Sequence, residues 1–250
     1  MFVFSKISSA VTATSIVALC FSPLRLPADD AKRLPGGPPI VTVEAVEVPV
    51  PPIVDGLALD ECWRKVKGRN FKIPYGDGEA LTDVAVKACV FKDRIYLLVQ
   101  YQTGGEARSH RFWRWDPQKK IYVSTDTREE SVSIMLYGGK DAGNDIWVWR
   151  ACRTDPAGFA DDMFLKYGRL SLDVGRPCWY SEYYGSFVGD VLPRFQNRAP
   201  EGSAADVKAK GHWDRGRLTV EFSRKLDTKH PDDIPLSKTL RLSIMRSRGD

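Results

Sequence analysis

Apolar and polar residues alternate along much of this chain with a period of two, the spacing of a β-strand whose faces meet different surroundings. Residues 82–91 and 94–102 are two such runs, joined at Lys92-Asp93, and they read as a hairpin. In the second run Ile95, Leu97, Val99 and Tyr101 face one way, while Tyr96, Leu98 and Gln100 face the other. Both faces are largely apolar, so this strand is expected in the middle of a sheet. Further strands are expected at 41–50, 110–116, 121–123, 131–137, 145–151, 207–213, 217–224 and 239–246. In 217–224, Leu218, Val220 and Phe222 alternate with Arg217, Thr219 and Glu221, the pattern of a half-buried antiparallel strand. In 145–151, Trp147, Trp149 and Ala151 share one face. One short helix is expected after Asp60, with Leu59, Trp63 and Val66 on one side. A charged loop is expected at 152–163, and 164–206 reads as irregular, with aromatic pieces at Trp179-Tyr180 and Tyr183-Tyr184.

Many short strands, Gly and Pro turns and almost no helix predict an all-β fold, an immunoglobulin-like antiparallel β-sandwich with long loops and one or two short helices. The expected boundaries are a leader or anchor at 1–25, a Pro/Gly-rich linker at 26–39 and one domain over 40–250. A chain of 250 residues, 43% hydrophobic, can bury a sizeable core.

The ends and the charge add little chemistry. Lys6 followed by the uncharged run at 7–21 has the layout of a secretory signal and is short for a membrane span. An uncleaved N-terminal anchor helix is the alternative. Leu19 stands where a lipobox needs a small residue, which makes Cys20 a poor lipid-anchor site. The expected location is therefore periplasmic or otherwise exported, with no membrane span in the mature body. A net charge of +5 spread among acids, with no run of like charges, argues against nucleic acid as a partner.

Cys62, Cys89, Cys152 and Cys178 follow the leader, and either two disulfides or four buried thiols fit an oxidising compartment. No C-x-x-C or C-x-x-C-H is present, so neither a zinc ribbon nor a covalently attached haem is supported. His110, His212 and His230 lie far apart without metal-ligand spacing. Nucleotide-binding glycine motifs, H-E-x-x-H and the G-x-S-x-G elbow are also missing. The acidic pairs Asp161-Asp162 and Asp232-Asp233 could hold calcium, although loop solvation or turn capping explains them more simply.

Three pieces of sequence resemble one family. They are the D-G-x-x-x-D-E-x-W start at 55–63, the strand D-I-W-V-W-R-A at 145–151 with its Pro-Gly-Asp loop, and the hairpin G-H-W-D-R-G-R-L-T-V-E-F-S-R-K-L-D at 211–227. Together they resemble the haem-binding gamma subunits of ethylbenzene dehydrogenase and related periplasmic molybdoenzymes. That resemblance implies a sandwich holding one non-covalent haem b between a Met and a Lys. It also implies electron transfer between catalytic molybdoenzyme and iron–sulfur subunits and a soluble periplasmic carrier. Carried over to this chain, Met135 is the haem-iron candidate, and Trp147 and Trp149 would wall the pocket. No Lys matches the family's second ligand; His212 is the substitute candidate and Lys238 a weaker one.

Met135 is equally an ordinary core methionine on an alternating strand. Two other functions fit the same pattern. A carbohydrate-binding module would use Trp113, Trp115, Trp147 or Trp149 as an exposed stacking platform. A cofactor-less interaction subunit would keep the fold motifs without the ligands. No nucleophile, base or metal constellation points to an independent enzyme.

Overall fold

A computed structural model describes residues 38–75, 80–139, 142–182, 184 and 189–247. The expected leader at 1–25 and most of the 26–39 linker lie outside these residues. No helix among the described residues is long and apolar enough to cross a membrane.

Two antiparallel-rich sheets face each other. The first runs, edge to edge, through Val41–Glu44, Thr239–Ser247, Ser131–Tyr137, Asn144–Arg150, Asp161–Lys166 and Arg169–Leu172. The second runs through Lys208–Asp214, Arg217–Lys225, Arg94–Gln102 and Ala80–Phe91, the last of which also pairs with Arg69–Tyr75. One apolar core fills the space between the sheets, with Ile134, Trp147 and Trp149 from the first against Leu97, Val220 and Phe222 from the second. The fold is an all-β sandwich, as the alternation predicts, and the 82–91/94–102 hairpin turns at Lys92-Asp93.

Four local expectations need correction. The run at 41–50 is split between the sheets. Val41–Glu44 pairs with Thr239–Ser247, the Ala45 amide donates to the Lys238 carbonyl at 2.7 Å, and Val46–Glu47 then pairs parallel with Ala80–Phe91. Arg217–Lys225 is buried on both faces because it is central, and its outer side is covered by the short helix Glu61–Lys65. There Trp63 and Val66 pack with Cys89, Tyr96 and Leu98 in a second apolar cluster. Only Trp113–Asp116 of the 110–116 run is a strand, and it joins Ile121–Ser124 and Val191–Leu192 in a small side sheet. Finally, the loop expected through 163 ends early: Asp161–Lys166 is a strand of the first sheet, its acids buried rather than solvated.

Candidate functional site

Buried tryptophans in this fold answer to carboxylates. Trp63 donates its indole N–H to Glu221 at 2.7 Å, and the same carboxylate accepts from the Asp55 and Gly56 amides at 3.0 and 2.7 Å. The Asp-Gly turn and the Trp of the 55–63 motif thus close on one buried acid. Gly56 needs to be glycine: φ is +81° and a Cβ would meet the Gly211 carbonyl carbon at 2.7 Å. Trp149 donates to Asp155 at 2.9 Å, and Asp155 also accepts from the Gly211 amide at 2.8 Å, from Arg108 at 2.9 Å and from Lys210 at 3.2 Å. Gly211 lets the indole approach, since a Cβ there would fall 2.3 Å from the Trp149 ring. All three motifs that carried the family resemblance therefore meet in the framework of the sandwich.

The proposed haem residues do not come together. Trp147 and Trp149 lie on one face, as expected, but that face is the core and both are fully buried. This rules them out as an exposed carbohydrate platform. Met135 sits on the opposite face of the same sheet. Its neighbours Ile134 and Leu136 point into the core, and Met135 is half-buried between Ser243 and Ile146 on the outside. His212 is exposed on the outer face of the other sheet, beside Gln100 and Thr219. Lys238 is half exposed and ion-paired with Glu47. Met135, the two indoles and His212 thus occupy three layers of the sandwich and line no common pocket.

The other histidines are engaged locally. His110 accepts the Glu129 amide at 3.4 Å, and burial, with Arg153 beside it, pushes its pKa down to about 4. His230 pairs with Asp206 at 2.6 Å. All four described cysteines are free thiols. Burial pushes the Cys178 thiol up to about 12, so it is an inert structural residue.

The remaining aromatic residues gather beside the sandwich. Trp113 and Trp115 lie on one face of the side sheet, with Tyr122 directly opposite Trp115 and the two rings 5.1 Å apart. Arg194 stacks over Trp113 at 5.1 Å and over Phe195 at 5.8 Å. Phe195 meets Trp179 edge-on at 5.4 Å, and Arg153 lies over both. Trp113 and Trp115 are half-buried. The sequence singles out those two residues, but Arg153, Arg194 and Phe195 come from stretches read as loop or irregular. Only the pairing of Trp179–Ser181 with Phe195–Asn197 brings Phe195 to Trp179.

Comparison with known proteins adds only loose structural likeness. No family model and no curated protein matches the chain. A solved structure from Bacteroides uniformis, named a "putative carbohydrate-binding protein", covers 83% of this chain and 89% of its own, with a TM-score of 0.44 and 9% identity. At that level the likeness carries neither ligand nor role from one protein to the other.

Proposed function

We propose that the domain is a binding module that takes a carbohydrate on the Trp113–Trp115 face of the side sheet. One observation carries this reading. Trp63, Trp149, Trp179 and Trp213 each give their indole N–H to a protein acceptor. Trp113 and Trp115 give theirs to none among the described residues and keep a partly open ring, whereas Trp147, whose N–H also lacks an acceptor, is fully buried in the core. An indole with a free donor beside its apolar face suits a sugar ring, which offers axial C–H groups to stack and hydroxyls to accept. Arg194 adds guanidinium donors at the same place.

The test is depletion of the full chain from solution by insoluble cellulose, xylan and chitin, alongside a glycan array. Binding is expected to weaken about tenfold in Trp113→Ala and in Trp115→Ala, about 1.4 kcal/mol each, with thermal unfolding unchanged. Absence of binding to every polysaccharide, together with a Soret band on haem titration, would move the assignment to the haem reading.

A further inference from the structure

At one end of the sandwich interior, five aspartates converge from four segments. Asp145 comes from Asn144–Arg150 and Asp162 from the adjoining Asp161–Lys166, where it lies opposite Trp147. Asp173 follows Arg169–Leu172, and Asp232 and Asp233 lie between the last two strands. One oxygen from each of Asp145, Asp162 and Asp233 lies within 4.8 Å of the others, and the same holds for Asp173, Asp232 and Asp233. Asp233 is common to both sets.

Some oxygens of this group are held by the protein. Arg224, itself fully buried, binds Asp145 and reaches Asp233 at 2.8 Å. Thr228 donates to the other oxygen of Asp233. The Val174 amide and the Ser203 hydroxyl each donate to one oxygen of Asp232 at 2.7 Å. The remaining oxygens have nothing. Asp145 Oδ1, both oxygens of Asp162, both of Asp173 and Oδ1 of Asp232 are buried without a hydrogen-bond partner. Asp162 and Asp145 are 1% and 0% exposed. A cavity of about 40 Å³ opens beside Asp162 and Asp173, lined also by Asp161, Leu172, Gly175 and Ala204. Water and ions both fit such a space.

Arg224 supplies one positive charge against five carboxylates, and an isolated buried carboxylate costs several kcal/mol. Two agents can settle the excess, protons or a cation. Asp145 and Asp162 are close enough to share a proton, so protonation is the competing account. Protons would not explain why Asp145 and Asp232 are each anchored through one oxygen with the other left without a partner. The two triads offer oxygen alone; the imidazole of His230, 3.9 Å from Asp233, is engaged by Asp206 at 2.6 Å. That chemistry suits a hard cation taking six to eight oxygens, rather than zinc.

We propose that Asp145, Asp162, Asp173, Asp232 and Asp233 form a binding site for one divalent cation, calcium by its chemistry. The cation ties the outer strands of the first sheet to the connection between the last two strands. The site shares no residue with the aromatic side sheet, and it stands or falls independently of carbohydrate binding.

The experiment uses the full chain, stripped with EGTA and then titrated with CaCl2 or MgCl2, followed by calorimetric binding and thermal unfolding. The expected result is one calcium per chain, an unfolding temperature that rises with calcium concentration, and a weaker magnesium response. Asp162→Asn and Asp173→Asn are each expected to weaken calcium at least about tenfold. With EGTA present, both variants are expected to unfold at or above the temperature of wild type, because each removes an unbalanced charge. Asp83→Asn, an exposed acid paired with Lys72, is expected to keep the full calcium response. No heat of binding and no shift of unfolding with calcium, magnesium or manganese at millimolar concentration would overturn the site. A stability that depends on pH alone and is indifferent to chelator would overturn it equally.

Discussion

Asp155 and Asp162 are both buried carboxylates on the same sandwich, and they sit in opposite circumstances. Asp155 is 0% exposed and accepts from an indole, a backbone amide, an arginine and a lysine. Asp162, 1% exposed, accepts from nothing, and Asp145, Asp173 and Asp233 crowd it. Burial alone therefore says little about what an acid does. The donors around it decide, since a charge out of water is tolerable only when hydrogen-bonded or balanced. Asp155 is part of the framework. Asp162 is half of an interaction whose other half is not protein.

The largest effect should come from breaking the satisfied node. Asp155→Ala leaves the Trp149 N–H, the Gly211 amide and two cations without their acceptor, and should cost about 3–5 kcal/mol. Urea denaturation measures it, and a loss under about 1 kcal/mol would refute the framework role. Removing the charge alone at the other region should have the opposite sign. In chelator, Asp162→Asn should be neutral or stabilising by about 1–4 kcal/mol, because it removes an uncompensated buried charge. A large loss in chelator would erase the contrast between the two acids.

Glu221 lies between these extremes. It has three N–H donors, yet burial pushes its carboxyl from the ordinary 4.5 up to about 7. The folded chain thus holds a proton here that the unfolded chain has already released between about pH 4.5 and 7. Its contribution is fully present below pH 4.5 and is lost as pH rises through about 7, amounting to at most about 3 kcal/mol. Glu221→Gln should flatten this part of the stability profile. Parallel profiles for variant and wild type would show that Glu221 stays ionised throughout, and would place it with Asp155.

How much of this was legible depends on whether a signal is local. Alternation gives the strands, the 92–93 turn and the shared face of Trp147 and Trp149, because period and face are properties of one segment. Two further facts were within reach of the same rule. Ser131, Ser133 and Met135 share parity against Val132, Ile134 and Leu136, which sets Met135 on the outer face. Asp145 has the parity of Trp147 and Trp149, which sends an acid inward. The acidic pairs at 161–162 and 232–233 were visible but not their division, in which Asp161 turns to Arg150 and Trp179 at 2.7 Å each while Asp162 faces the core. The five-acid cluster needs four segments, two of them loops, and no spacing along the chain announces it. The split of 41–50 between sheets was hidden for a similar reason, since Ala45 carries no mark of a crossover.

The smallest effect is expected at Met135, where the comparison is between two sides of one strand. Ile134 is fully buried in the core opposite Trp147, whereas Met135 lies half-buried on the outer face opposite Ile146 and Ser243. Ile134→Ala opens a cavity among close-packed neighbours and should cost about 2–5 kcal/mol. Met135→Ala removes atoms that already border solvent and should cost about 1 kcal/mol or less. The pair also bears on the haem reading. The indoles that would wall the iron lie on Ile134's side of the sheet, so a haem held by Met135 would have to lie against the outside of the sandwich. Haem titration of wild type and Met135→Ala should therefore give the same weak, non-saturating absorbance. A sharp Soret band in wild type that shifts in Met135→Ala, with unfolding unchanged, would show an iron ligand on the outer face and restore the electron-transfer assignment.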